Sequence, residues 1–190
     1  MKKYTMWLPA VVMTILLVVG SLWAANPNPI LGGVLPDIEL PMPKDSSEKA
    51  YLGVSGFGSF KIPEIKARLV IIEIFNMYCP YCQREAPNVN QLHAKIKQDP
   101  ALRDSIKIIG IGAGNSPYEV GIYKKKYNVA FPLFADKDYA IYNKIGEVRT
   151  PYFIGMKINP DGTHQIIYSK VGAFEGVDQF LSALMKSAGI

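Results

Sequence analysis

Two cysteines at the junction of a strand and a helix constrain this chain more than any other feature of its sequence. Residues 69–75 read Leu-Val-Ile-Ile-Glu-Ile-Phe, a nearly continuous apolar run that is typical of a central strand covered on both faces. In residues 80–97 the apolar side chains recur at intervals of three and four, which predicts a helix with one buried face. The segment Cys79-Pro80-Tyr81-Cys82 joins the two, so both thiols are predicted at the N-terminus of that helix.

The rest of the chain alternates between strand and helix periodicities. Strands are predicted at residues 106–111, 151–158 and 165–169, and helices at 118–127, 138–145 and 177–188. The sequence Asn159-Pro160-Asp161-Gly162 predicts a turn between the last two strands. Strands and helices that alternate and then end in a hairpin and a helix predict a three-layer α/β/α domain with a central mixed sheet.

The cysteine spacing favours redox chemistry over a structural role. A structural zinc site needs about four ligands, and His93 and His164 lie far from Cys79 and Cys82 in the sequence, so neither a metal nor another cofactor is predicted. A disulfide between cysteines this close would restrain the unfolded chain little. At a helix N-terminus, free N–H groups and the helix dipole stabilise the thiolate of Cys79. Pro80 suits the first helical turn, and Cys82 can attack a mixed disulfide formed at Cys79.

Residues 72–82 resemble the strand and redox motif of the thioredoxin superfamily. Pro87 matches the proline of that family's active-site helix, and Thr150-Pro151 resembles the cis-proline that faces the disulfide. An ordinary proline at the start of a strand is the alternative at Pro151.

Within the superfamily, the likeness is to the membrane-anchored TlpA/ResA type, which is related to the AhpC/TSA proteins. Residues 31–40, 82–87 and 127–136 carry it, and the likeness extends over about residues 31–188. It implies a thioredoxin fold with an inserted helix, preceded by an N-terminal hydrophobic segment. Tyr78 replaces the usual tryptophan, and Pro80-Tyr81 is more similar to the dipeptide of glutaredoxins. These departures leave the redox potential and the choice of partner open.

Two glutamates are candidate catalytic proton carriers, because reduction of a disulfide moves protons as well as electrons. Glu85 lies three residues after Cys82 on the same helix face. The resemblance assigns it to the family's active-site glutamate, with a solvated first-turn glutamate as the alternative. Glu73 has the offset of the buried acidic residue of thioredoxins. If buried, it would resist ionisation and could transfer a proton to Cys82; otherwise it pairs with a lysine or reaches solvent at the sheet edge.

The substrate-binding face is predicted from the residues that the resemblance places around the cysteines. They are Tyr78, Pro80, Tyr81 and Thr150. Backbone beside the catalytic-site proline Pro151 could pair with an extended substrate segment, as strands do in β-augmentation. His93, on the active-site helix, is predicted to be a surface residue.

The first 25 residues differ from the rest of the chain. Lys2 and Lys3 precede the uncharged residues 7–25, a pattern typical of export signals. The apolar length suits an uncleaved membrane anchor, whereas Ala24 and Ala25 suit a cleaved signal peptide, and both readings stay open. Residues 26–36 are predicted to be a linker and 37–190 the thioredoxin-like domain. We expect this domain in the bacterial periplasm or on the outer face of the cytoplasmic membrane.

The charge of the chain indicates no nucleic-acid partner. The net charge of +5 falls to +3 without the two N-terminal lysines, and the basic run at residues 124–126 is short. The predicted partners are protein thiols and disulfides and a membrane protein that returns electrons to the cysteines.

These patterns predict an extracytoplasmic thiol–disulfide oxidoreductase. Reduction of protein disulfides through a Cys79/Cys82 dithiol–disulfide cycle is the leading expectation, and the resemblance implies apocytochrome c as a substrate. Oxidation or isomerisation uses the same site, and related C-x-x-C proteins span about −270 to −120 mV. A thiol peroxidase of peroxiredoxin type is a further alternative, although those enzymes have a threonine where this chain has Asn76. A redox-inactive binding module is the last alternative function.

Overall fold

The computed structural model describes residue 29 and residues 31–190. The predicted signal or anchor at residues 1–25 lies outside the described residues, as do residues 26–28 and 30 of the predicted linker. The strands are β1 (Glu39–Pro41), β2 (Ser59–Lys61), β3 (Leu69–Phe75), β4 (Ile106–Ala113), β5 (Leu133–Asp136), β6 (Tyr152–Ile158) and β7 (His164–Val171). The α-helices are α1 (Ser46–Leu52), α2 (Pro80–Gln98), α3 (Pro117–Lys126), α4 (Ala140–Lys144) and α5 (Val177–Ala188). In this part of the chain no helix is both long and apolar enough to cross a membrane.

Five strands form the main sheet in the order β5-β4-β3-β6-β7. Strands β3, β4 and β5 pair in parallel, whereas β6 pairs antiparallel with both β3 and β7. Strand β3 is therefore central, and all seven of its residues are buried. This confirms the strand that its apolar run predicts, as well as a mixed sheet.

Two hydrophobic clusters cover the two faces of this sheet, because successive side chains of a strand point to opposite sides. Val70, Ile72 and Ile74 belong to the cluster that includes residues of β1, β2 and α1. Leu69, Ile71 and Phe75 belong to the cluster formed with α2, α3 and α5. By the same alternation, Glu73 faces the side of the sheet that carries α2.

Helix α2 has the buried stripe that its sequence predicts, at Cys82, Ala86, Val89, Leu92 and Ile96. The prediction for His93 is wrong. This side chain is only 5% exposed, and its ring lies 5.6–5.7 Å from the ring centroids of Tyr51 and Phe131. Tyr51 belongs to α1, and Phe131 precedes β5. These two segments cover a side of α2 that periodicity alone assigns to solvent.

The N-terminal part of the described chain packs against the far edge of the sheet. Gly32 N–H donates to the carbonyl of Ile166 at 2.8 Å, and Ile166 N–H donates to the carbonyl of Gly33 at 2.8 Å. Leu35 is buried in the core. The last residues of the predicted linker therefore cover backbone groups of the edge strand β7, which would otherwise be open to pairing.

Candidate active site

The two cysteines are free thiols with very different access to solvent. Cys79 is the N-cap residue of α2 and is partly exposed, and Pro80 occupies the first helical turn. Cys82, one turn further on, has no exposed surface. Only Cys79 is open to attack another molecule, while Cys82 lies behind it.

Cys79 faces the Thr150–Pro151 peptide bond, which the resemblance to thioredoxins predicts to be cis. The Thr150–Pro151 bond is cis, and the Cys79 thiol donates to the carbonyl of Thr150 at 3.4 Å. Burial raises the pKa of Cys79, but hydrogen bonds from the Thr150 side chain and from the Cys82 and Tyr81 groups of the first turn outweigh this effect. The resulting pKa lies below the ordinary value of 9.0. Helix N-termini stabilise thiolates in this way.

Cys82 has the opposite electrostatic environment. Burial raises its pKa far above the ordinary thiol value, which holds the sulfur in the protonated form. The hydroxyl of Tyr123, a buried residue of α3, donates to the carbonyl of Cys82 at 3.0 Å and connects α3 to the first turn of α2. Cys82 therefore needs a proton acceptor before it can act as a nucleophile.

Two asparagines hold the loop that precedes Cys79. The side-chain amide of Asn76 donates to the carbonyl of Ala113 at 2.8 Å and accepts from Tyr78 N–H at 2.8 Å. The fully buried Asn115 accepts from Met77 N–H at 2.8 Å. Sequence reasoning missed Asn115. The available signal was a polar residue two positions after a buried strand, at the same end of the sheet as the cysteines.

Glu73 is buried in the central strand with no compensating cation. It is 2% exposed, its Oε1 has no hydrogen-bond partner, and it forms no ion pair within the described residues. Both structural alternatives for Glu73 are therefore wrong, because β3 lies at the centre of the sheet. Burial, with a smaller contribution from the charge of Glu85, raises the pKa of Glu73 to about 8.

Glu85 is also buried, at 3% exposure, in the second turn of α2. Burial raises its pKa, and two hydrogen bonds oppose this effect. Asn88 Nδ2 donates to Oε2 at 3.1 Å, and Phe174 N–H donates to Oε1 at 3.3 Å. The solvated alternative for Glu85 is wrong, because the chain before α5 covers this part of the helix. Two carboxyl groups with raised pKa values thus lie on the α2 side of the sheet.

An open groove of about 520 Å³ borders Cys79. Its walls include Tyr78, Tyr139, Tyr142, Val148, Arg149 and Thr150. Two predicted substrate-binding residues, Tyr78 and Thr150, therefore line the groove, whereas Pro80 and Tyr81 lie outside it. Tyr81 is 66% exposed and stacks with the guanidinium of Arg84, 4.5 Å from the ring centroid.

Tyr78, at the position where tryptophan is usual, connects the active-site loop to α3. Its hydroxyl donates to Glu119 Oε1 at 2.5 Å. Glu119 also accepts from Ser116 N–H at 2.7 Å as part of the capping box of α3. These hydrogen bonds, that of Tyr78 first, lower the pKa of Glu119 to about 2. Its carboxylate is thus already engaged beside the groove.

Across residue 29 and residues 31–190, no group of three or more His, Cys, Asp or Glu side chains could hold a metal ion. The chemistry available to the site is that of the two thiols and the neighbouring carboxyl groups.

Comparison with known proteins places these features in a family. The model of the AhpC/TSA family matches residues 31–166, more than half of the chain. The thiol-disulfide oxidoreductase ResA of Halalkalibacterium halodurans is 23% identical over 130 residues, which cover 68% of this chain and 70% of ResA.

Solved structures share the fold. The thioredoxin domain of a thiol-disulfide oxidoreductase from Bacteroides vulgatus superposes with a TM-score of 0.59 at 14% identity, over 82% of this chain and 98% of that domain. A secreted Mycobacterium tuberculosis disulfide oxidoreductase, homologous to E. coli DsbE, gives 0.52 at 19% identity, over 68% of this chain and 90% of that protein. At these identities the likeness shows a thioredoxin-like fold.

Proposed function

This chain belongs to the AhpC/TSA family and is a thiol–disulfide oxidoreductase similar to ResA, and on that premise we propose that it reduces protein disulfides outside the cytoplasm. The observation that carries the proposal is the contrast between its thiols. Cys79 is accessible and its pKa is lowered, whereas Cys82 is buried and its pKa is raised. A nucleophile in front of a resolving thiol is the arrangement that two-step disulfide exchange requires.

The first step is attack by the Cys79 thiolate on a substrate disulfide. A bond forms between Cys79 Sγ and one substrate sulfur, and the other substrate sulfur leaves as a thiolate that takes up a proton from water. The carbonyl of Thr150 lies 3.4 Å from Cys79 Sγ. The substrate backbone can therefore pair with the chain beside Pro151 while its sulfur reaches Cys79.

The second step is attack by Cys82 on the mixed disulfide. Cys82 loses its proton, forms a bond to Cys79 Sγ and releases the second substrate thiolate, which is protonated in turn. Two electrons have passed to the substrate, and Cys79 and Cys82 are joined in a disulfide. A membrane protein, the predicted electron donor, must return two electrons to this disulfide to complete the cycle.

Glu85 is the proposed proton acceptor for Cys82, and Glu73 is proposed to carry a proton that it can transfer to Cys82. Both are buried on the α2 side of the sheet, and burial raises the pKa of each. Glu85 lies one helical turn after Cys82, and its two hydrogen bonds favour its ionised form, which makes it the first acceptor. Glu73, with a pKa of about 8, holds a proton at neutral pH and can transfer it to the Cys82 thiolate when the electron donor reduces the Cys79–Cys82 disulfide.

The extracytoplasmic location draws support from two observations. The relative from M. tuberculosis is described as secreted, and residues 1–25 have the basic start and apolar run of an export signal. In that compartment the resemblance implies apocytochrome c as a substrate, because its cysteines must be thiols before haem is attached.

The equilibrium reduction potential of the Cys79–Cys82 pair tests the direction of electron flow. The soluble domain is titrated against a thiol redox buffer, with Cys79→Ser and Cys82→Ser as controls. A potential near or below about −270 mV is expected for a reductant, whereas one near −120 mV would point to an oxidase and overturn the proposal. Consumption of peroxide by the wild type, lost in Cys79→Ser, would instead support the peroxidase alternative.

A further inference from the structure

The groove beside Cys79 has a wall of aromatic side chains that is already in place before a substrate binds. Tyr139 and Tyr142 line it, with their ring centroids 5.5 Å apart in an edge-to-face arrangement. The buried carboxylate of Asp136 fixes the backbone that carries them, because it accepts from Ile141 N–H at 3.0 Å and from Tyr142 N–H at 2.8 Å.

Tyr139 is further fixed by its contact with a glycine. A Cβ atom on Gly114 would lie 2.2 Å from the Tyr139 ring, so the ring rests directly on the Gly114 backbone. Tyr139 itself has a left-handed backbone with φ of 57° and is 44% exposed. An exposed aromatic ring held this firmly offers apolar contact area at a small entropic cost on binding.

The groove also has a distinct charge. Arg149 is the one formally charged side chain among its lining residues. It is exposed, and it forms no ion pair within the described part of the chain. Arg149 directly precedes Thr150, whose carbonyl contacts Cys79 Sγ. A free guanidinium therefore lies a short distance along the chain from the point of thiol exchange.

We propose that this groove selects substrate segments in which an acidic residue and an aromatic or large apolar residue flank the reactive cysteine. The apolar side chain packs against Tyr139 and Tyr142, and the carboxylate pairs with Arg149. In an extended substrate segment each residue spans about 3.3 Å. The residues next to the reactive cysteine are therefore close enough to contact the groove while the cysteine sulfur reacts with Cys79. The inference rests on the proposed function, since it names the substrate class of the same site.

The test uses four short peptides in which the single cysteine is a mixed disulfide with 2-thiopyridine, an uncharged chromogenic leaving group. Asp or Lys stands on one side of the cysteine, and Phe or Ala on the other. Attack by reduced Cys79 joins the peptide sulfur to Cys79 and releases 2-thiopyridine, which takes up a proton and is followed by its absorbance as pyridine-2-thione. The rate constants are compared at low and high salt for the wild type, Arg149→Gln and Arg103→Gln, a surface arginine in the loop between α2 and β4.

The wild type is expected to react about 2- to 5-fold faster with Asp than with Lys peptides at low salt, as for exposed ion pairs. In Arg149→Gln this ratio should fall close to one, whereas Arg103→Gln should keep it. The preference for Phe over Ala should fall in Tyr142→Leu and in Tyr139→Leu, and thermal unfolding of each variant reports any loss of fold.

The outcomes separate the two proposals. If the wild type reduces all four peptides at one rate, the selectivity inference is wrong while the proposed function stands. If Arg149→Gln keeps the charge preference, Arg149 is not the partner of the carboxylate and the inference fails. If the wild type reacts with no peptide faster than Cys79→Ser does, the proposed function itself fails.

Discussion

Replacement of Glu73 by glutamine should change how the stability of this protein depends on pH. Glu73 is 2% exposed at the centre of the sheet, and its pKa rises to about 8 because of burial and the charge of Glu85. The folded chain therefore holds a proton on Glu73 that the unfolded chain has released. Glutamine has a similar shape and no titration, so Glu73→Gln removes this linkage and leaves the fold otherwise comparable.

The magnitude follows from the two pKa values. The unfolded glutamate titrates near 4.5 and the folded one near 8, and each pH unit between them corresponds to about 1.4 kcal/mol. Because the folded state binds the additional proton, the contribution of Glu73 to stability is fully present below pH 4.5 and is lost as the pH rises towards 8. Between pH 5 and pH 7 the loss is about 2–3 kcal/mol, a large part of the usual 5–15 kcal/mol of a domain.

Urea unfolding of the reduced protein at pH 5 and pH 7 measures this loss. The free energy of unfolding is compared for the wild type, Glu73→Gln and a matched control, Glu64→Gln, which replaces an exposed glutamate. The wild type and Glu64→Gln should lose about 2–3 kcal/mol more than Glu73→Gln between the two pH values. Other titrating groups, such as His93 with its pKa lowered to about 4 by burial, are common to all three proteins.

The comparison is decisive because it does not depend on the absolute stability of any variant. An uncharged amide in the interior has its own hydrogen-bonding cost of about 1–3 kcal/mol, but this cost is the same at both pH values. If the wild type and Glu73→Gln lose stability in parallel, then Glu73 is ionised at neutral pH in the folded state. The assignment of Glu73 as an internal proton store would then be wrong.

Three further predictions concern the thiols, the second glutamate and the loop beneath the groove. Iodoacetamide should modify only Cys79 in the native reduced protein. Its half-maximal reactivity should lie below pH 9 because the thiolate of Cys79 is stabilised. Two adducts by mass spectrometry before unfolding, or a midpoint at or above pH 9, would contradict this prediction. Glu85→Gln should slow release of the second substrate thiol about 100-fold, as for loss of a general base. Alkylation of Cys79 should stay nearly unchanged. If release is unaffected in single-turnover rapid-quench experiments, Glu85 is not the proton acceptor for Cys82. Gly114→Ala should cost about 2 kcal/mol or more in urea unfolding, because its Cβ would clash with Tyr139 at a φ of 67°. The control Gly162→Ala has a similar backbone, with φ of 83°, but open space around its Cβ, so equal losses in both variants would refute the packing argument.

The sequence by itself determined the central strand, the active-site helix and the chemistry at their junction. Strand β3 and helix α2 were predictable because their periodicity is local and strong, and the positions of Cys79 and Cys82 follow from it. The short elements β1, α1, β2 and β5 were not predicted. With three to seven residues each, they have too little periodicity to stand out from the surrounding chain.

Only the tertiary structure decided how these residues are surrounded. The state of Glu73 depends on its burial beside Glu85, and the burial of His93 depends on Tyr51 and Phe131, which are distant in sequence. The groove also depends on tertiary packing, because Tyr139, which rests on Gly114, and Arg149 line it beside Cys79 only when separate loops pack together. A periodic pattern indicates which face of an element is buried. The pKa of a group and the shape of a groove depend on which other segments cover that face, and this is a property of the folded chain.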